Sequence, residues 1–415
     1  MTGAGRARTL AGMTRRPTTH ESRTTPVPAA RRRSAVGTGI AALAGAAVLA
    51  MAGPAAAADA QPRPVGPQLQ GILERAVKVP ETGSPGVALH VRRPGHGSWS
   101  GAAGKARLDP AWRMRAGDRF RAGSITKTFV AAATLQLVEE GKLALEDPLP
   151  AVLPPRVVAR FPDADRITVR MLLNHTSGIG EYSGARHERE VYADPRRRWR
   201  VSEFLDRAAA QPRLSAPGER HAYSNTNYNL LGLAIEQATG RPWRAVVRER
   251  VIERLGLEHT SLPKPGRAPT GRDIAHGYEM LDGRLRDLTH VDSSMAGAAG
   301  GNSLLTTTRD LSRFLRGLLQ GRLFEREATL DEMRGFVAVQ GDPEGEVGYG
   351  LGLQRYLLPG GVELVGHMGT AAGYRAYMFH LPAQGIDIAM ATTTPSDPMP
   401  VLMPALRLLV AEAAA

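Results

Sequence analysis

The chain is 415 residues long, 42% hydrophobic and free of cysteine, which allows one large domain or two modest ones and excludes disulfides, thiolate metal sites and a lipid-bearing cysteine. Its formal charge of +13 is concentrated at the start: eight arginines against Glu21 and Asp59 in residues 1–60 leave +7 on residues 61–415. So mild an excess does not point to nucleic acid as a partner.

The first predicted element is a leader. Arg31, Arg32 and Arg33 precede an apolar run over residues 40–53, and "PAAAADA" then offers small-x-small cleavage after Ala58 or Ala60. The run is short and ends in alanines and Pro54, which argues for a cleaved export signal over a membrane anchor. The expectation is a secreted protein beginning near Gln61, with residues 61–415 as one domain. The paired arginines admit the twin-arginine route as well as the general one.

Residues 86–93 ("GVALHVRR") alternate as a strand, "PGHG" turns, and "SWSGAAGKAR" returns as a hairpin partner. Helical periodicity follows over 124–140, stopped by Gly141, and over 229–239, stopped by Gly240. The basic stretch "DPRRRWRVSEF" from Asp194 reads as a solvated loop and helix start rather than a polyanion site. A further helix is predicted over 308–320, with Thr307 and Asp310 placed as a capping box and Gly321 as its stop. Strands return at 361–366, 374–381 and 386–394, and a last helix covers 401–413, interrupted by Pro404 and Arg407. Strands at both ends with helices between predict an α+β fold: an antiparallel sheet flanked by helices, with a mostly helical inserted lobe.

The helix over 124–140 carries an unusual base. Lys127 is one of 5 lysines in a chain with 48 arginines, and only lysine can surrender its proton when desolvated. Phe129, Val130, Ala131, Ala132, Ala133, Leu135, Leu137 and Val138 make that helix apolar on nearly every side, so a lysine in it must be paired or neutral. Ser124, three residues earlier, lies on the same face at the helix N-terminus, where free N–H groups favour developing negative charge. The spacing alone also fits an N-capping serine with a lysine reaching outward. Ser261 and Lys264 repeat it, but Pro263 and Pro265 forbid a helix there.

No G-x-S-x-G elbow and no H-E-x-x-H zinc helix is present. A serine and lysine pair needs a further group to relay the serine proton, and Tyr223 and Asn225 form the one Y-x-N among nine tyrosines. A Y-x-N on its own is commonly a turn. The third element sought is a strand edge that presents a backbone N–H, for which "VELVGHMGTAAGY" is the candidate. There Gly366, Gly369 and Gly373 would let a ligand near the backbone and His367 would reach over the site.

S-x-x-K, then Y-S-N, then H-x-G, in that order, resembles the serine β-lactamase and D-Ala-D-Ala peptidase superfamily, and more narrowly its class C β-lactamase and secreted DD-carboxypeptidase branch. The likeness runs from about Val87 to the C-terminus, through "ITVRMLLNHTSGI", "YSNTNYNLLGLAIEQATG", "SMAGAAGG" and "GYGLGL". It implies Ser124 as an acylated nucleophile, Lys127 and Tyr223 sharing the proton transfers, and Asn225 orienting Lys127 and the substrate amide. The Ser124 and Thr370 N–H groups would bind the oxyanion, with Gly369 and His367 beside the substrate. It implies neither metal nor cofactor, and small peptides or esters of cell-wall origin as substrates, with D-alanyl-D-alanine carboxypeptidase activity as the leading expectation. An esterase, an amidase, a β-lactamase or a penicillin-binding module of low turnover are the alternatives. Two departures bear on substrate: Met368 and Gln354 stand where the carboxypeptidases carry a threonine and an arginine for the terminal carboxylate. Arg355 is adjacent, but neighbours on a strand face opposite sides.

Overall fold

Alternating apolar positions in "YRAYMFHL" account for the architecture. In this strand, Tyr374–Leu381, the residues Tyr374, Ala376 and Met378 face one buried cluster, and Tyr377, Phe379 and Leu381 face another. A strand apolar on both sides needs cover on both sides. The computed structural model describes residues 65–78, 84–300, 303–342, 344–394, 397 and 399–414, all within one compact unit, Ala42–Ala415. The expected leader, residues 1–60, lies outside the described residues.

A nine-stranded antiparallel sheet runs in the order Trp112–Arg113, Gly97–Arg107, Gly86–Arg93, Ile386–Thr392, Tyr374–Leu381, Val362–Ala371, Gln354–Leu358, Glu346–Tyr349 and Val337–Ala338. The first strand pairs with the last long one, Val87 opposite Thr392, so the two ends of the domain close one sheet. One face packs under the helices Val65–Ala76 and Met399–Ala414. The other packs against Thr126–Glu139, Thr308–Leu319 and the helical lobe, which includes Ala185–Ala193, Val201–Ala209 and Asn225–Thr239. The α+β architecture expected from sequence is the one observed. Among the described residues no helix is long and apolar enough to cross a membrane.

Element boundaries differ from the sequence reading in instructive places. The 361–366 strand continues as Val362–Ala371, carrying "GHMGTA" into the sheet. The 229–239 helix starts earlier, at Asn225, after an extended Ser224, so the Y-S-N triplet sits on a helix N-terminus. Thr307 caps its helix by accepting the Asp310 N–H at 3.1 Å, but the box is not reciprocal. The Asp310 carboxylate instead accepts from His259 N–H and the Thr260 hydroxyl, tying the helix to the preceding loop.

The helix Thr126–Glu139 is the centre of the fold, buried from Thr126 through Leu137. A single 3₁₀ turn, Gly123–Ile125, leads into it, and the Thr126 hydroxyl donates to the Gly123 carbonyl at 2.7 Å. Gly123 has φ of +58°, and a Cβ on it would lie 2.5–2.6 Å from the backbone of Thr370. Only glycine lets this turn sit so close to the Val362–Ala371 strand.

Candidate active site

Lys127 reaches this site from the first turn of the buried helix and is itself wholly buried. Its Nζ meets Ser124 Oγ at 3.0 Å, Asn225 Oδ1 at 2.7 Å and the Ala299 carbonyl at 2.5 Å. Three acceptors match the three hydrogens of an ammonium group. None of the three is a carboxylate, so burial dominates and brings the lysine down to about 7, with the charge of Glu181 opposing. Once neutral, the amine can accept the Ser124 hydroxyl hydrogen while donating to the other two.

Tyr223 is the second side chain on Ser124. Its hydroxyl is hydrogen-bonded to Ser124, and burial holds the phenol well above its ordinary value. Lys127 Nζ lies 4.9 Å from the centre of its ring, a cation–π contact while the lysine is charged. The His175 ring lies 4.2 Å from the same ring, tilted to it by 31°. His175 Nδ1 accepts from Ser224 N–H and Asn227 Nδ2, and burial, reinforced by Lys127, keeps the imidazole neutral.

Asn225 is fixed by Glu181, whose carboxylate accepts the Asn225 backbone N–H at 2.6 Å and its Nδ2 at 3.1 Å, and the Ser183 N–H at 2.7 Å. This sets the amide so that Oδ1 faces Lys127. Glu181, His175 and the Ala299 carbonyl are the contributors that sequence reasoning missed. A carboxylate two residues before Ser183 carries no motif, and a backbone acceptor carries no side-chain signature at all.

The fourth wall is the Val362–Ala371 strand. Its neighbour Gln354–Leu358 begins opposite Gly366, so residues 367–371 have a bare edge although the strand lies inside the sheet. Met368 N–H points to that edge, where Gln354 Oε1 accepts it at 2.8 Å. By the period of two, Thr370 N–H points the same way. A Cβ on Gly369 would lie 2.8 Å from the Ser124 nitrogen and 2.0 Å from the Ala122 carbonyl oxygen. The Ser124 and Thr370 amides therefore lie along one seam.

Several expectations for this strand are corrected. Gly366, Gly369 and Gly373 admit the chain's own backbone, not a ligand: added Cβ atoms would strike Met378, Ala122 and Gly277. His367 does not reach over the site but is buried beneath it. Its Nδ1 meets the Met368 carbonyl at 2.5 Å and so carries the proton, leaving Nε2 to accept from Tyr349 at 2.9 Å. Burial, with Lys127, lowers it to about 3, so it is a neutral strut. Arg355, as strand alternation predicts, lies on the face opposite Gln354 and turns outward into an exposed ion pair with Glu363 at 2.8 Å. Among the described residues no group of three or more His, Cys, Asp or Glu is placed to hold a metal.

Residues 68–412 match the protein family described as Beta-lactamase. Among curated relatives, esterase EstB of Burkholderia gladioli is 28% identical over 365 residues, covering 80% of this chain and 91% of its own. Penicillin-binding protein 4 of Amycolatopsis lactamdurans is 30% identical over 284 residues, covering 66% and 71%. Among solved structures, the D-stereospecific amidohydrolase from Streptomyces sp. superposes with a TM-score of 0.72 at 35% identity, covering 82% of this chain and 98% of that one.

Proposed function

The chain belongs to the Beta-lactamase family, and from that membership we propose that it is an exported serine hydrolase that works through an acyl-enzyme on Ser124. The observation that carries this reading is the buried Lys127 amine, brought to about 7 and 3.0 Å from Ser124 Oγ. A group with that value is half deprotonated at neutral pH, which suits a general base. Tyr223, held protonated by burial, suits a donor. Neutral Lys127 takes the Ser124 proton as Oγ bonds to the substrate carbonyl carbon. The oxyanion is held by the N–H groups of Ser124 and Thr370. As the C–N or C–O bond to the leaving group breaks, that proton passes through Lys127 and Tyr223 to the departing amine or alcohol. Water then repeats the sequence and frees Ser124.

For substrate, the reading is an amide or ester hydrolase acting on small acyl compounds, supported by analogy with the esterase of Burkholderia gladioli and the Streptomyces amidohydrolase. The D-alanyl-D-alanine carboxypeptidase expected from sequence is the second reading. What favours it is Arg375, the cross-strand partner of Thr370, a buried cation that a carboxylate could share with Glu344, its ion-pair partner at 3.0 Å. Export rests on the leader alone.

The test is intact-mass spectrometry after exposure to a fluorescent penicillin and to a p-nitrophenyl ester. One acyl adduct on Ser124, absent in Ser124→Ala, is expected. An adduct on Ser177 or Ser261, or one that persists in Ser124→Ala, overturns the assignment.

A further inference from the structure

Beyond Ser124, the substrate must lie along the bare edge of residues 367–371, and one of its arms then runs beside Gln354. The chemistry at that end is closely determined. Gln354 is buried, and its amide is used at both atoms: Oε1 accepts the Met368 N–H at 2.8 Å, and Nε2 donates to Glu346 Oε2 at 3.0 Å. The edge N–H nearest the sheet is thus already consumed by a side chain.

Behind Gln354 stands Glu346, pushed up to about 8 by burial and by Asp342, hence mainly protonated at neutral pH. Met368 is half-buried and packs among the apolar residues under the terminal helices. His367 is neutral and committed to Tyr349 and Met368. None of these four side chains offers a positive charge at neutral pH, and ionisation of Glu346 would add a negative one.

Taking the acyl-enzyme reading of Ser124 as given, we infer that Gln354 is a specificity-determining residue: by consuming the Met368 N–H and filling the edge with an uncharged amide, it makes this arm of the site select neutral amides and esters over substrates that end in a free carboxylate. A carboxylate placed there would shed its water without gaining a charge-assisted partner from these side chains, and the cation one strand away, Arg375, is already paired with Glu344 at 3.0 Å.

The experiment compares kcat/KM for a D-alanyl-D-alanine peptide with a free carboxylate and for the same peptide as its terminal amide, in wild type, Gln354→Arg and Gln354→Met. Intact-mass detection of the Ser124 adduct runs alongside. Wild type should favour the amide by about 10-fold or more. Gln354→Arg should move the ratio toward the carboxylate by about 10- to 100-fold, the value of one charge-assisted hydrogen bond. Gln354→Met, of similar volume, frees the Met368 N–H and should move it the same way by less, which keeps the test open if the buried arginine impairs folding. A wild-type preference for the carboxylate, abolished in Arg375→Gln, overturns the inference and assigns the carboxylate to Arg375. Absence of any Ser124 adduct with either peptide or a p-nitrophenyl ester would instead mean that the acyl-enzyme reading itself has failed.

Discussion

The two walls that meet at Ser124 handle charge in opposite ways. On the helical side, Lys127 is buried with three uncharged acceptors and brought to about 7, so its proton is held loosely enough to move. On the strand side two buried titratable groups are driven to their neutral forms: His367 to about 3 and Glu346 to about 8. Burial is the first cause in all three cases. What differs is what each group is left to do. Lys127 touches the nucleophile, whereas His367 and Glu346 are tied to Tyr349 and Gln354, which shape the edge. Desolvation alone therefore does not mark a reactive group; contact with the reacting atom does.

Lys127→Arg breaks this comparison most severely. Arginine keeps the cation and cannot release the proton, so acylation of Ser124 should fall by about 10²- to 10⁴-fold while thermal unfolding remains cooperative. In wild type, kcat/KM should climb about tenfold per pH unit below the lysine value and level off above about 7, because only the neutral amine accepts a proton. Tyr223, held above its ordinary value, should add no falling limb below about pH 10. An arginine variant that acylates at the wild-type rate would reduce Lys127 to an electrostatic anchor.

The helical wall was largely legible in the sequence, and the strand wall was not. An i, i+3 pair at the start of an all-apolar helix fixes a shared face, so the contact between Ser124 and Lys127 follows from local geometry. The Y-S-N triplet could be singled out by type, but its junction with Lys127 spans 98 residues, and the family resemblance was needed to join them. On the strand, glycine announces close approach without saying of what, and at Gly366, Gly369 and Gly373 the answer is protein backbone. Strand alternation placed Arg355 outside but could not give the inward Gln354 its partner. Glu346 comes from another strand, and its protonation depends on burial that only the folded chain supplies.

Glu181 sharpens the comparison with a smaller effect. It supplies the negative charge that opposes burial at Lys127 and orients Asn225 through two hydrogen bonds. Glu181→Gln removes the charge and retains an acceptor, so the ammonium form loses support and the acid limb of the pH profile should move below about 7, by up to about one unit. An unchanged or raised midpoint would leave Glu181 a purely structural brace. A drop in maximal rate alone would not separate the two roles, which is why the profile is measured.

Glu346 gives the smallest effect on turnover and a distinct one on stability. Its folded value, about 8, lies above the 4.5 of an unfolded glutamic acid, so the native state holds its proton more tightly. Stability from this group is complete below about pH 4.5. It is lost progressively as the pH rises toward 8, because the unfolded chain ionises there and the native one does not. Glu346→Gln preserves a partner for Gln354 and cannot ionise, so it should flatten that decline and be more stable than wild type at pH 8, by on the order of a few kcal/mol. Denaturant titrations of both proteins at pH 5 and pH 8 measure the difference. If the two lose stability in parallel, Glu346 is already ionised in the native state, and the strand wall carries a negative charge at neutral pH instead of a protonated acid.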